Sequence, residues 1–366
     1  MNNRIPRLAA FGLMLVAIAA CTKTDIKPND DLANGLNPSS GAPIAFVSQD
    51  AFTKAEGDTD PEAFMAIRAG GFKVWSWFKG TTEGPMFGEN GTDVKDDNYV
   101  ADLPEGQTQP DPNWTYSPLR YWLNGTYDFA AVYPSTVSGT YKADNNSTPV
   151  LTVKDFDVTN QDDLLVAFNT GVDGGKGNAN NPVNLTFQHA LSNIQLHLTL
   201  AKDDFFEPTE GGGERQVGYA FVSLVGFNKI STVGNLTASG PDKENFNWSS
   251  NASGEIYISH SENPIPVTLD DQTNFLGDDG LLVLPQSLEN SNGELYMQVI
   301  IYPLGEADQF ITKTFTVPLN TGVKTWEPNT RYIYKGVVTQ ELVIEFSVVK
   351  VNDWEEGDSL GGFIVS

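Results

Sequence analysis

Three histidines, His189, His197 and His260, are the first residues to consider for catalysis or metal binding. None of them lies in a metal-binding spacing such as H-E-x-x-H. His197 occupies a polar position in an alternating segment, where a solvated side chain is expected. His189 lies where two alternating segments meet, which favours a capping or hydrogen-bonding role. The histidines therefore predict neither a metal site nor a catalytic base.

Paired carboxylates are the second feature with chemical potential, because two of them can hydrolyse a glycosidic bond or bind calcium. The chain has 47 acidic residues, so neighbouring pairs arise by chance, and the spacing at residues 270–280 does not match an EF-hand loop. Residues 171–177 resemble a phosphate loop but have one residue too few between the glycines and no Ser or Thr after Lys176. No G-x-S-x-G motif occurs. We expect a protein that is not an enzyme and needs no cofactor or metal.

Cys21 is the only cysteine, and it follows a segment typical of an export signal. Arg4 and Arg7 precede an apolar stretch that is too short to span a bilayer. This stretch ends in Ile-Ala-Ala-Cys, which resembles the lipobox of bacterial lipoproteins. We expect residues 1–20 to be a signal peptide and Cys21 to carry acyl chains that anchor the protein in a membrane. Residues 21–42 are polar and predict a flexible tether.

The charge and length limit the possible partners and the number of domains. A formal charge of −25 disfavours nucleic acid and anionic lipid headgroups, since both repel an acidic surface. A length of 366 residues with 40% hydrophobic residues is enough for about two domains with their own cores.

Strands must position any site in this chain, and residues 183–200 show the clearest pattern. Ile194, Leu196, Leu198 and Leu200 alternate with polar residues, whereas residues 183–187 alternate in the opposite phase. One continuous strand cannot change its buried face, so residues 189–193 must contain a turn or bulge. We interpret this break as the seam between two β domains, residues 43–188 and 189–366.

Short strand patterns separated by Gly, Asn and Pro continue along the chain, without a long helical period. Residues 217–227 predict a strand, and Gly234-Asn235 predicts a turn in the segment that follows. Residues 246–248 and 256–258 predict two separate short strands. The pattern favours an all-β protein with two β-sandwiches in tandem.

Aromatic residues are concentrated in the first half and have two interpretations. A flat aromatic surface would bind sugar rings, which would make the protein a surface glycan-binding lipoprotein. Alternatively, the residues fill a sandwich core. Both faces of the strand at residues 72–78 are apolar, which favours a covered central strand and a core role. The cluster comprises Trp75, Trp77, Trp114, Tyr116, Tyr121 and Trp122.

The order of several short motifs resembles the fimbrillin family, the lipoprotein pilus subunits of Bacteroidia-type bacteria. The chain differs at Asn193, where Lys is common, and at Lys54, where Arg is common. The motifs are Thr53-Lys54-Ala55, residues 72–77, 127–134, 163–167, 183–194, 282–286, 329–334 and 351–354.

This resemblance implies two transthyretin-like β-sandwich domains and a structural role in a fimbria that supports adhesion. In the family, a trypsin-like protease removes the lipid and the first strand, and a strand of the next subunit fills the exposed groove by β-augmentation. The implied partners are other fimbrial subunits and a host or bacterial surface ligand. The implied location is the outer membrane surface before processing and the fimbria afterwards.

Each part of this mechanism maps onto a stretch of the chain. Ile44 and Phe46 mark the removable strand, at residues 44–47. The resemblance implies that Lys54 or Arg68 would be the processing site; Lys54 matches the family position better, and Arg68 would suit an Arg-specific protease. The donor would come from the C-terminal arm, where Gly361-Gly362 frees the tail. Its residues are Leu342, Ile344, Phe346, Val348, Phe363, Ile364 and Val365.

Overall fold

The computed structural model shows a protein built almost entirely of β-strands, which confirms the predicted all-β class. The count of two transthyretin-like sandwiches stays a prediction. Among the described residues, no helix combines the length and apolarity needed to cross a membrane. The structure describes residues 43–48, 61–80, 83–143, 148–175, 182–270, 273–289, 291–303, 310–340, 344–352 and 359–365.

Most of the elements in the described part of the chain are strands. The first half contains β1 (Phe46–Val47), α1 (Pro61–Gly70), β2 (Phe72–Lys79), β3 (Glu83–Pro85), β4 (Thr92–Asp96), β5 (Trp114–Thr115), β6 (Thr126–Tyr133), β7 (Gly139–Lys142), β8 (Val150–Asp157), a 3-10 helix (Val158–Asn160), β9 (Leu165–Asp173), β10 (Val183–Asn184) and β11 (Phe187–His189). The second half contains β12 (Ser192–Leu200), α2 (Lys202–Phe205), β13 (Phe206–Pro208), β14 (Glu214–Gln216), β15 (Gly218–Ala238), a 3-10 helix (Lys243–Asn245), β16 (Phe246–Ser259), β17 (Ile265–Val267), β18 (Leu281–Val283), β19 (Gln286–Ser287), β20 (Glu294–Pro303), β21 (Ile311–Pro318), β22 (Thr325–Trp326), β23 (Thr330–Val338), β24 (Ile344–Asn352) and β25 (Ser359–Val365).

The first sheet has the order β11-β9-β6-β2-β4-β5, with β3 also paired to β2. β2 lies inside this sheet, and Trp75 and Phe78, which point to opposite faces, are both buried. The prediction of a covered central strand is therefore confirmed. Trp122 is buried as well, so these aromatics fill the core instead of forming an exposed platform.

The second sheet has the order β18-β12-β23-β24-β25. In β12 the even-numbered residues Ile194, Leu196, Leu198 and Leu200 are buried, as the alternation predicts. β12 runs parallel to β23 and antiparallel to β18. The sheet thus places the C-terminal hairpin β24–β25 at one edge.

The chain changes sheets where the alternation changes phase. β11 pairs with β9 of the first sheet and ends at His189, whereas β12 begins at Ser192 in the second sheet. The predicted break therefore exists, at Ala190-Leu191. Next to it, Nδ1 of His189 lies 2.6 Å from Oδ2 of Asp163, so His189 has the hydrogen-bonded position that its location favours.

A third sheet, of order β21-β20-β15-β8-β7, carries β16 and β17 on β15. The predicted turn at Gly234-Asn235 is wrong, because β15 runs through it as one strand of 21 residues with bulges near Asn228 and Val233. The two short strands predicted at 246–258 are also wrong, since they belong to the single strand β16. The domain boundary at residue 188 stays a prediction. β8, which precedes this residue, pairs with β15, which follows it, so hydrogen bonds cross the predicted boundary.

Candidate functional site

Residues 43–48 form a short extended segment, here called the N-terminal segment, that lies between two other stretches of backbone. On one side it meets residues 120–121, and on the other it runs parallel to β10. Main-chain hydrogen bonds therefore hold both of its edges. They run from Ile44 N to Arg120 O (2.8 Å), from Val183 N to Ala45 O (2.7 Å) and from Leu185 N to Val47 O (2.9 Å).

The side chains of this segment alternate between core and solvent. Ile44 is 1% exposed and Phe46 is 6% exposed, whereas Ala45 between them faces solvent. The ring of Phe46 lies in an aromatic groove. Its centroid is 5.6–6.3 Å from those of Phe72, Phe87, Tyr116 and Phe129.

The side chain of Tyr116 holds the N-terminal segment through a hydrogen bond. Its hydroxyl donates to the carbonyl of Ile44 at 2.7 Å and accepts from the amide of Arg120 at 3.3 Å. Burial raises the pKa of this hydroxyl to about 12, although its bond to Arg120 opposes the shift. The hydroxyl therefore stays protonated and remains a donor over the physiological pH range.

Of the two predicted processing residues, only Arg68 belongs to the described part of the chain. It lies in α1 and is 5% exposed. Its Nε lies 2.6 Å from Oδ2 of the buried Asp96, and its Nη2 donates to the carbonyl of Pro110 at 2.6 Å. The guanidinium thus holds α1 against β4 and the loop before β5. Lys54 lies outside the described residues, as does Cys21.

The predicted donor residues fall on both strands of the C-terminal hairpin. Ile344, Phe346 and Val348 of β24 are buried, and β24 is hydrogen-bonded to β23 on one side and β25 on the other. Leu342 lies outside the described residues.

β25 is the edge strand of its sheet and pairs only with β24 among the described strands. Its backbone carries the remaining predicted donor residues, Phe363, Ile364 and Val365. These pair with Phe346, Glu345 and Ile344, respectively. Gly361-Gly362, which we expected to free the tail, lies within this strand.

Sequence reasoning located the N-terminal segment but missed the residues that hold it. The alternation at Val183 and Leu185 indicated a strand, yet nothing in it showed which backbone would pair there. Arg120 and Tyr116 gave no signal for their contacts. Within the described residues, no group of three or more His, Cys, Asp or Glu side chains could hold a metal ion.

Comparisons with known proteins extend these observations. A family model described as fimbrillin-like matches residues 72–354. No curated protein matches the chain.

Several solved structures resemble the fold. A fimbrial protein of Bacteroides vulgatus has a TM-score of 0.54 at 16% identity, over 85% of this chain and 99% of the other. A candidate cell adhesion protein of Bacteroides uniformis has a TM-score of 0.44 at 16% identity, over 87% and 100%. One of Parabacteroides distasonis has a TM-score of 0.46 at 15% identity, over 87% and 99%. The first of these supports the all-β fold.

Proposed function

Because the chain belongs to the fimbrillin-like family, we propose that it is a structural subunit of a cell-surface fimbria whose subunits join by exchange of a terminal strand. The family confirms the resemblance seen in the motifs, and it is a family of structural proteins and not of enzymes. Assembly with other fimbrial subunits and a cell-surface location follow from this membership. Strand exchange, proteolytic processing and lipid anchoring go beyond this membership and are the parts that we propose.

The observation that carries the proposal is the N-terminal segment. It resembles an inserted strand, because its two edges are hydrogen-bonded and its alternate side chains fill pockets. These are the two elements of β-augmentation: main-chain bonds give affinity, and pockets for alternate residues give fit. Removing the segment would expose the aromatic groove and leave the 120–121 and β10 backbones without these partners.

Cleavage at Lys54 fits this role better than cleavage at Arg68. A protease must bind the side chain and several flanking backbone groups in an extended conformation. Arg68 is buried, helical and ion-paired, so α1 would have to unfold before the bond after it could be cut. Hydrolysis after Lys54 would release the N-terminal segment and leave α1 in place.

β25 is the donor that the sheet order favours. Removing β24 would uncover β23 and expose Ile344, Phe346 and Val348, which are part of the subunit's own core. β25 has a single hydrogen-bonded neighbour among the described strands, whereas the groove of another subunit would give it two. Exchange would therefore give this strand a hydrogen-bonded neighbour on each edge.

We further propose that Cys21 anchors the unprocessed subunit to the outer membrane through its acyl chains. A covering segment before assembly protects an edge that would otherwise aggregate. Cleavage would then release the anchor and open the groove in one step, because Cys21 and the N-terminal segment lie on the same side of Lys54.

The test is to incubate the purified protein with a trypsin-like protease and to examine it by gel electrophoresis and electron microscopy. We expect a ladder of stable oligomers and filaments. Replacing Lys54 by Gln should prevent both the ladder and the filaments. Arg68→Gln should lower the stability of the subunit, but the ladder should still form. Deleting residues 360–366 should leave cleavage intact and abolish the ladder.

A cleaved protein that stays monomeric would refute strand exchange. A ladder formed without residues 360–366 would instead refute the choice of β25 as donor.

A further inference from the structure

A groove of about 880 Å³ lies beside the ribbon formed by β15 and β16. Its walls come from the bulged part of β15, from the polar middle of β16 and from the segment around β19. None of its lining residues belongs to the N-terminal segment or to β25. The groove has the volume of a small-molecule site, typically about 300–1,000 Å³.

The lining combines one indole with many neutral polar groups. Trp248 provides the aromatic surface and is only partly buried. Hydroxyl and amide side chains line the rest of the groove, among them Ser231, Ser253, Gln286 and Asn292. The middle of β16 is exposed, so its Ser249, Ser250 and Ser253 are on the solvent side of the groove.

Trp248 is held in place before any ligand arrives. Its Nε1 donates to the carbonyl of Ala190 at 2.9 Å, and its ring makes an edge contact with Phe156 at 6.2 Å between centroids. Gly234 leaves room beneath the ring, since a Cβ there would lie 3.3 Å from Cε3 of Trp248 and 3.0 Å from Cδ1 of Leu284. A fixed ring loses little freedom on binding, which favours affinity.

Two amide side chains of the groove differ in their hydrogen bonding: Gln286 makes two hydrogen bonds, and Oδ1 of Asn228 makes none among the described residues. Oε1 of Gln286 accepts from the amide of Ser231 at 2.9 Å, and its Nε2 donates to the carbonyl of Leu284 at 3.0 Å. By contrast, the buried Oδ1 of Asn228 has no hydrogen-bond partner in the described part of the chain. A buried acceptor without a donor is costly to the fold.

The charges of the lining point to a neutral ligand. Lys229 is ion-paired with Glu294 at 2.7 Å, so its charge is compensated. Glu255 is the other charged residue of the lining. A phosphate, sulfate or carboxylate would meet no uncompensated cation among these residues.

From these features we propose that the groove binds a neutral oligosaccharide. A sugar ring presents an apolar C–H face, which stacks on an indole, and a rim of hydroxyls, which donate to and accept from amides and hydroxyls. This assigns a ligand class to the subunit, and the site is complete in one chain, so it does not depend on strand exchange.

The test uses the unprocessed, monomeric protein on an array of neutral oligosaccharides built from glucose, galactose, mannose and N-acetylglucosamine, beside sialylated and sulfated ones. The best-bound neutral sugar is then titrated by calorimetry. We expect binding to neutral sugars only. Trp248→Phe, which keeps a ring but loses the bond to Ala190, should weaken binding about tenfold, the equivalent of ~1.4 kcal/mol.

Ser253→Arg is the second variant, because it blocks the groove from an exposed position and leaves the core unchanged. We expect it to abolish binding. Ser261→Arg, which places the same side chain on an exposed serine beyond the end of β16, is the matched control and should bind normally. No binding to any neutral sugar, binding confined to charged sugars, or binding that Ser253→Arg leaves unchanged would each overturn the proposal. A failure here with an intact protease-induced ladder would leave the fimbrial role standing.

Discussion

The N-terminal segment and β25 are both terminal strands, but the structure holds them in different ways. The first is hydrogen-bonded along both edges and places Ile44 and Phe46 in the core. The second is an edge strand whose described backbone pairs only with β24. The N-terminal segment is thus inserted between two stretches of backbone, whereas β25 is an edge strand.

This difference implies different routes of release. Local opening requires less free energy where fewer bonds and buried contacts are lost. Release of β25 breaks hydrogen bonds along one edge, to β24, whereas release of the N-terminal segment breaks hydrogen bonds on both sides and empties an aromatic groove. Under the proposed strand exchange, a cut in the chain would convert this second loss into an exchange, because a new strand would replace the first.

The largest effect should come from emptying the aromatic groove. Phe46→Ala removes a ring that lies against four others, and we expect it to lower the free energy of unfolding by about 3–5 kcal/mol. Chemical denaturation of the uncut protein measures this. Ala45→Ser, at the neighbouring exposed position, should change stability by less than ~0.5 kcal/mol. Equal effects of the two substitutions would mean that the segment is not inserted as described.

A somewhat smaller effect should follow from removing the guanidinium of Arg68. Arg68→Met keeps the length of the side chain but leaves Asp96 buried without its cation, which should cost about 3 kcal/mol. The same substitution at Arg215, whose ion pair with Glu207 is exposed, should cost less than ~1 kcal/mol. Thermal unfolding compares the two variants. An unchanged stability in Arg68→Met would remove the structural argument against cleavage at this residue.

The smallest effect should come from the hydroxyl of Tyr116. Tyr116→Phe keeps the ring beside Phe46 but removes the donor to the Ile44 carbonyl, which should cost about 1 kcal/mol. Hydrogen exchange should then become faster at the amides of residues 44–47 and stay unchanged in β12. Tyr219→Phe, at a half-exposed tyrosine, should leave both unchanged. A uniform acceleration across the chain would show that Tyr116 supports the whole fold and not this segment.

The sequence predicted the elements whose side chains alternate between water and core. Ile194 to Leu200 identified β12, and the change of phase before it located the point where the chain leaves one sheet for another. These predictions succeeded because burial imposes a period of two on a strand with one covered face.

The prediction failed where pairing, and not burial, makes the strand. Residues 249–255 have no large apolar side chain and carry no alternation, yet they form the middle of β16, because β15 supplies their hydrogen bonds. Gly234 was taken for a turn residue, but it lies in a bulged strand where a larger residue would press on Trp248 and Leu284. The helix α1 was not predicted either, because it is only ten residues long. Its contact from Arg68 to Asp96 joins positions 28 residues apart, and the sequence pattern gives no signal for such a distant contact.

The most direct test of strand exchange is a disulfide between a groove and a donor strand. Asn184 is an exposed residue of β10 that pairs with Val47, and a strand that replaces the N-terminal segment would lie opposite it. Asn184→Cys is combined in turn with Phe363→Cys, Ile364→Cys or Val365→Cys, in a Cys21→Ser background. Residues on adjacent strands come within disulfide distance.

Strand exchange predicts that at least one of these pairs forms a disulfide between subunits after proteolysis, and none before it. Asn247→Cys, on the exposed part of β16, replaces Asn184→Cys as the control and should not cross-link. Cross-links that form equally without cleavage, or no cross-link from any of the three pairs in cleaved protein, would contradict strand exchange into this groove.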